Sequence, residues 1–359
     1  MKKKVIVGMS GGVDSSVTAQ LLLELGYDVI GVTMKIWPES NTCDKIREGG
    51  CCSLSAVEDA RQVANQLGIP FYVMNFQEVF EKTVIDYFVA EYLQGKTPNP
   101  CIACNKYVKF EALLNKALAM GIDYVATGHY ARVVAENGRY LIKKSATATK
   151  DQTYALYNLT QAQLKHILMP LGDYTKEQTR EIANRLGLST ANKRDSQEIC
   201  FVEDNNYARF ITERTGQTGE KGNFVDAFGH VLGQHKGIFH YTVGQRKGLG
   251  IAFGKPMYVL KVDIAKNEVV LGEAGQEFAK SLIATHLNFV PLDSLQAPVT
   301  LGVKVRYSAK EAKALVTPFE QNGMAKVELL FDTPQRAITP GQAVVFYDGD
   351  YLVGGGTIE

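Results

Sequence analysis

Apolar positions along the first 130 residues recur with two alternating periods. Residues 4–9 form a short apolar run after three lysines, which predicts a buried first strand. Val17, Leu21, Leu22 and Leu25 then return at helical spacing and stop at Gly26, predicting a helix over 13–25. A Val- and Ile-rich strand is predicted over 27–35. Ser55 and Glu58 stand at capping-box spacing and open a helix that ends near Gly68. Residues 70–76 read as a third strand and 77–93 as a long helix carrying Val79, Phe80, Val84, Tyr87 and Phe88 inward. The turn-rich segment 95–104 leads into a helix to about Met120 and a strand at 123–127. Strands alternating with helices of this length imply an α/β domain with a doubly wound, mainly parallel sheet. Such sheets bind ligands at the carboxyl ends of their strands, so the loops after residues 9, 35 and 127 are expected on one face.

After about residue 205 the helical period fades and glycines multiply. Strand-like runs appear at 302–307, 313–316, 325–331 and 343–347, with a turn at Asp348 and Gly349. This spacing predicts a small antiparallel β-barrel. Three parts follow: a nucleotide-binding domain over 1–204, a compact connector over 205–278 and a barrel over 279–359. No internal repeat is present.

Composition narrows the class. The 359 residues are 45% hydrophobic and 21% charged, ordinary globular proportions that exclude a disordered or fibrous chain. Lys and Arg number 39 against 38 Asp and Glu, so the net charge of +1 gives no hint of an anionic partner. No stretch approaches the roughly 18 apolar residues needed to cross a bilayer, and the first apolar run is too short for a signal peptide. Six cysteines in a chain this long are too sparse for a disulfide framework. A cytoplasmic protein using thiols for chemistry or metal is expected.

The most specific motif is Ser10, Gly11, Gly12, Val13, Asp14, Ser15, Ser16, between a predicted strand and a predicted helix. Its glycines let the backbone approach an anion, and the helix start offers unpaired N–H groups and a positive dipole end. It lacks the lysine of the Gly-x-x-x-x-Gly-Lys phosphate loop and the spacing of the dinucleotide fingerprint. A plain Gly-rich strand-to-helix turn is the bland alternative. The loop resembles that of the ATP pyrophosphatases, which cleave ATP between its α and β phosphates and adenylate an acceptor oxygen.

The cysteines group as Cys43, Cys51 and Cys52, then Cys101 and Cys104, then Cys200. Cys101 and Cys104 lie in a Pro-rich loop that opens a helix, with Lys106 and Lys109 close by, a setting that favours thiolate. A structural zinc site would want four ligands, commonly a second close pair, and adjacent Cys51 and Cys52 make a poor one. Cys200, between Ile199 and Phe201, could equally be a small buried core residue.

In this order, the motifs are similar over essentially the full chain to those of the bacterial tRNA-specific 2-thiouridylases. The resemblance is carried by residues 8–16, by Thr33, Met34 and Lys35, by 97–100 with Cys104, Asn105 and Lys106, and by Gly128, His129 and Tyr130. Residues 150–154, 196–201, 242–250 and Arg306 with Tyr307 complete it. It implies an adenine nucleotide alpha hydrolase-like fold and ATP held by Gly8, Met9, Ser10, Gly11, Gly12, Val13, Asp14, Ser15, Met34 and Gly128. It implies tRNA contacts at Asn99, Pro100, Cys101, His129, Lys150, Asp151, Gln152, Arg306, Tyr307 and Gln342, with 242–248 as a further basic loop. The implied reaction adenylates the 2-oxygen of the wobble uridine, with magnesium on the departing pyrophosphate positioned by Asp14. Sulfur then arrives as a persulfide on Cys200, supplied by a sulfur-carrier protein or a cysteine desulfurase, and Cys104 resolves it as a disulfide. Where the family usually carries Asp, this chain has Cys101, which leaves open an iron–sulfur cluster on Cys101, Cys104 and Cys200. Two rival classes share the loop: an ATP pyrophosphatase ligase acting on a small molecule, and a non-catalytic iron–sulfur sensor.

Overall fold

A computed structural model describes residues 2–36, 54–191, 193, 199–202 and 206–359. The chain divides into two compact units, neither of which is one continuous segment. The first comprises Met1–Ile85, Cys101–Phe201 and Asp350–Leu352; the second comprises Asp86–Pro100, Val202–Gly349 and Val353–Glu359.

The first unit begins with β1 (Lys4–Gly8), α1 (Val13–Glu24), β2 (Asp28–Lys35), α2 (Leu54–Leu67) and β3 (Phe71–Asn75). The predicted long helix is α3 (Gln77–Phe80), a wider π-helical turn at Glu81–Ile85 and α4 (Asp86–Leu93), the last belonging to the second unit. The next helix starts earlier than expected, at Pro100. It runs as α5 (Pro100–Ala103), a π-helical stretch Cys104–Ala112 and α6 (Leu113–Ala119). After β4 (Tyr124–Ala126) comes a hairpin, β5 (Ala131–Glu136) and β6 (Arg139–Lys144), followed by α7 (Gln161–Leu164), β7 (Ile167–Leu168) and α8 (Lys176–Arg185).

Strands β3, β2, β1, β4 and β7 pair in that order, all parallel, as a doubly wound sheet. Their common direction puts the chain after β1, β2 and β4 at one edge, as expected. Val5, Val7, Val17, Leu22, Val63 and Ala126 make the core between sheet and helices. The β5–β6 hairpin was not foreseen, although Asn137 and Gly138, with φ of 51° and 77°, form the left-handed turn such dipeptides favour. Its second strand pairs with Tyr351, and the Tyr351 hydroxyl donates to Glu136 at 2.9 Å.

The second unit adds α9 (Tyr207–Thr215), β8 (Gly222–Val225), β9 (Val231–His235), β10 (Met257–Asp263) and β11 (Glu268–Glu273). The four strands form one sheet ordered β10-β11-β8-β9 around Phe224, Val259 and Leu271. Then come β12 (Phe278–Phe289), β13 (Val299–Lys304), β14 (Ala312–Gln321), β15 (Met324–Arg336), β16 (Ala343–Asp348) and β17 (Tyr351–Ile358). They pair in the order β12-β15-β14-β13-β16-β17, and β12 also pairs with β17, so the barrel is closed. Val303, Val316, Leu329 and Phe346 fill it.

Candidate functional site

The loop after β1 is held on both sides. Met9 N–H donates to Val32 O at 2.8 Å, and the Thr33 hydroxyl donates to Met9 O at 2.8 Å. Gly11 has φ of 65°, and a Cβ there would collide with the Ala56 carbonyl, so both freedom and space demand glycine. The Ser15 hydroxyl donates to Gly12 O at 3.1 Å and accepts Ser10 N–H at 3.2 Å; the Ser16 hydroxyl donates to Gly12 O at 3.0 Å. The serines therefore brace the loop as well as lining it. Gly12 is the N-cap of α1 and has no side chain to cap it, which leaves first-turn N–H groups for an anion. Met34 lies near the end of β2, paired with Met74 of β3.

Asp14 sits on the first turn of α1 and is fixed by residues far away in sequence. Lys176 Nζ donates to its two carboxylate oxygens at 2.7 and 2.8 Å, and the Tyr130 hydroxyl donates to Oδ1 at 2.8 Å. Lys176, only 5% exposed, is the first residue of α8, whose N-cap Thr175 makes a capping box with Gln178. A lysine there faces the positive end of the helix dipole, an unfavourable position that its pairing with Asp14 offsets. Sequence reasoning missed Lys176. The signal was that mismatch between a well-capped helix start and the cation placed on it. Both Asp14 oxygens accept from the Lys176 ammonium.

Gly128 closes this cluster. A Cβ on it would lie 2.9 Å from Asp14 Cβ and from Ser15 N, so only glycine lets the chain after β4 approach the loop. The next residue, His129, is buried, with Nδ1 2.7 Å from the Thr127 hydroxyl and its ring 5.8 Å from that of Phe110. Burial, and after it the Lys109 ammonium, holds its pKa well below the ordinary 6.5, so the imidazole is neutral at pH 7. Lys109 in turn donates to Asn105 Oδ1 at 2.9 Å, and Asn105 Nδ2 to Ala155 O at 3.1 Å.

Asp151 and Gln152 turn their side chains inward. Asp151 accepts Ser145 N–H at 3.0 Å and the Thr153 hydroxyl at 2.6 Å, while Gln152 Oε1 accepts Tyr130 N–H at 2.9 Å. These bonds shape the segment that carries half-exposed Lys150.

Cys101 is exposed on α5, and Cys104, three residues on, is half-buried at the start of the π-helical stretch. Cys200 is half-buried too, while the neighbouring Phe201 is the buried one and packs edge-on against Phe80 at 5.9 Å. Among the described residues no three His, Cys, Asp or Glu side chains converge to hold a metal ion. Cys43, Cys51, Cys52, Ser196, Gln197 and Glu198 lie outside the described residues.

In the second unit, Thr97 N–H donates to Pro340 O at 2.9 Å and Gln342 Nε2 donates to Thr97 O at 2.9 Å. Gln342 thus anchors the segment that leads into Asn99 and Pro100. Arg306 Nη2 donates to Arg336 O at 2.6 Å, and Tyr307 beside it is 48% exposed.

The chain matches the tRNA methyl transferase HUP domain over residues 3–204, the tRNA methyl transferase PRC-barrel domain over 208–273 and the aminomethyltransferase beta-barrel domain over 279–358. It is 63% identical to the tRNA-specific 2-thiouridylase MnmA of Acetivibrio thermocellus, with 100% of this chain and 99% of that one covered. Proteins of the same name from Clostridium acetobutylicum and Clostridioides difficile are 59% and 58% identical, each with all of this chain and at least 99% of the relative covered. A braced anion loop, a doubly wound sheet and a closed barrel thus occur in a chain that follows these relatives from end to end, and it belongs to the tRNA-specific 2-thiouridylase family.

Proposed function

We propose that the protein is an ATP-dependent sulfurtransferase that replaces the 2-oxygen of the tRNA wobble uridine with sulfur. The observation that carries this reading is the presence, in one unit, of an uncapped, glycine-built anion loop and the half-buried cysteines Cys104 and Cys200. Methyl transfer, the chemistry in two of the matched domain descriptions, needs neither a thiol pair nor an adenylating loop.

The uridine 2-oxygen attacks the α-phosphorus of ATP, the bond to the β-phosphate breaks, and pyrophosphate leaves. The loop N–H groups carry the negative charge that develops there, an electrostatic term of several kcal/mol in comparable sites. The terminal sulfur of a Cys200 persulfide attacks C2, and AMP departs with the former 2-oxygen. Cys104 thiolate then attacks the inner Cys200 sulfur, and the S–S bond to the new thiocarbonyl sulfur breaks. The electron pair stays with the product, the two cysteines are oxidised to a disulfide, and an external thiol must reduce it before the next cycle. A sulfur-carrier protein or a cysteine desulfurase supplies the persulfide sulfur. Neutral His129 and the segment from Asn99 to Cys101 orient the base, and Lys150, Arg306 and Tyr307 contact the RNA.

We assign these tasks to a catalytic part over 1–204, a connector over 205–278 and an RNA-contacting barrel over 279–359. Among the described residues no helix is long and apolar enough to cross a membrane, and we place the reaction in the cytoplasm, with its tRNA substrate. The test is thiolated tRNA formed per enzyme. Cys104→Ala and Cys200→Ala are each expected to lose turnover, whereas Cys101→Ala keeps most of it. An inactive Cys101→Ala beside a wild type that works only with bound iron would replace the relay by cluster chemistry.

A further inference from the structure

The hydroxyls of Tyr92, Tyr207, Thr97 and Thr242 meet in the second unit. Tyr92, buried near the end of α4, stacks on Tyr207, the first residue of α9, with ring centres 4.5 Å apart and planes 28° from parallel. The Phe88 ring lies 4.8 Å from that of Tyr92. Phenylalanines would pack here as well. What the tyrosines add is two phenol groups, and both hydrogen-bond to the Thr242 side chain. Burial pushes both phenols above their ordinary 10, so each keeps its proton. The Thr97 hydroxyl reaches the same Thr242 oxygen at 3.5 Å. A hydroxyl has one donor site and two acceptor sites, so these three partners fill Thr242.

The backbone around Thr97 is held by other residues. Its N–H donates to Pro340 O and its carbonyl accepts Gln342 Nε2, both at 2.9 Å. The residues before it fit as closely: a Cβ on Gly341 would lie 2.9 Å from Lys96 Cβ, and one on Gly95 would lie 3.0 Å from Val262 of β10. The barrel thus fixes the main chain of Thr97, and Thr242 meets its side chain. Thr242 is itself set, its N–H donating to Gln245 Oε1 at 3.0 Å. Two residues beyond Thr97, Asn99 begins the stretch assigned above to the uridine, and Pro100 opens the helix that carries Cys101.

We propose that Thr242, Tyr92 and Tyr207 are positioning residues for thiolation: together they hold Thr97, and through it the stretch from Asn99 to Cys101, in the orientation that presents the uridine for reaction. This rests on the function proposed above and gives a task to three residues it leaves unused. Two buried phenols spent on one threonine are more than packing requires, and the threonine they hold faces the segment that must be exact. Reacting atoms have to stand about 3–3.5 Å apart, and a displacement of about 1 Å made far from the chemistry can cost roughly 100-fold in rate. A hydroxyl network of this kind therefore sets the rate of the bound complex and leaves the affinities for ATP and tRNA alone.

The test is single-turnover thiolation by the full chain loaded with persulfide, at saturating ATP and unmodified tRNA, beside separate titrations of each. Thr242→Val, which keeps the shape and removes the hydroxyl, is expected to slow thiolation about tenfold with both affinities at wild-type values. Thr242→Ser is expected to restore the rate. Tyr92→Phe/Tyr207→Phe, which keeps the ring stack, is expected to slow thiolation as Thr242→Val does. Adding Thr97→Val to Thr242→Val is expected to cost nothing more, because both remove one link. A Thr242→Val rate equal to wild type, or a loss that Thr242→Ser does not recover, would overturn the positioning role and leave the thiolation reading standing. A wild type that forms no thiolated tRNA in this assay would overturn that reading and the positioning role with it. The double tyrosine variant carries the test should Thr242→Val fail to fold, and a wild-type rate for it would overturn the proposal.

Discussion

Removing Asp14 is expected to cost more stability than removing its partner. In the native pair, Lys176 Nζ lies 2.7 Å from Asp14 Oδ1, with the lysine side chain 6% exposed and the aspartate side chain 30% exposed. Asp14→Ala takes from this buried ammonium the carboxylate that both of its short contacts reach. Breaking a buried pair in this way costs roughly 3–5 kcal/mol, and the solvent that can follow the lost carboxylate places this case near 3. Lys176→Met leaves instead a carboxylate that water already reaches and that keeps the Tyr130 hydroxyl at 2.8 Å, so its cost is about 1–2 kcal/mol. At roughly 2–4 °C per kcal/mol for a unit of this size, Asp14→Ala lowers the midpoint by about 6–12 °C and Lys176→Met by about 2–8 °C. Asp14→Ala/Lys176→Met is expected to recover at least 1 kcal/mol relative to Asp14→Ala alone, because no isolated charge remains. Calorimetric unfolding of the three variants decides it. A Lys176→Met protein less stable than Asp14→Ala, or a double variant worse than both, would refute the reasoning.

Three further outcomes follow from the geometry. The folded state holds His129 well below 6.5, so the unfolded chain protonates first as pH falls through about 6.5; stability drops below that pH and is fully present above it. His129→Asn should flatten the change in urea midpoint between pH 5 and 7, and an unaltered pH slope would remove His129 as its source. Gly128→Ala forces a methyl to within 2.9 Å of Asp14 and Ser15, costing about 1–3 kcal/mol and weakening ATP binding at least tenfold; unchanged nucleotide titration would mean that the loop yields. Gln342→Ala frees the Thr97 carbonyl at a cost of about 1 kcal/mol and slows thiolation severalfold with ATP affinity intact, whereas an unaltered single-turnover rate would deny it a positioning role.

The residues legible in the sequence are those whose chemistry is local. The loop at 8–16 announces itself because glycine, serine and a helix start must be contiguous to hold an anion. Lys176 does not, because its partner is 162 positions away and nothing near it looks like a site. Gln342, expected from resemblance to contact RNA, spends its amide on Thr97, a role visible only once β16 and the 97–100 segment are in place. In the barrel, β14 and β15 run well past their predicted ends, through Pro318 and Pro334. Proline ordinarily marks a strand's limit. Here Pro334 sits where the β12–β15 register shifts between Ala279 and Ser281, so the missing N–H costs no regular ladder bond.

The interleaving of the two units bears on how the chain can be made and dissected. Lys144 N–H donates to Asp350 O at 2.8 Å, and Lys143 Nζ to the Tyr351 hydroxyl at 3.2 Å, so the first unit takes its final strand residues from some 200 positions downstream. During synthesis the parallel sheet and the β5–β6 hairpin can form early, but the pairing of β6 with Tyr351 waits for almost the whole polypeptide to leave the ribosome. Closing so long a loop adds little to the free-energy cost, since that cost grows only logarithmically, but such non-local pairing slows the last stage of folding. An expression fragment cut after residue 204 would therefore emerge with an unfinished sheet edge, open to pairing with other chains.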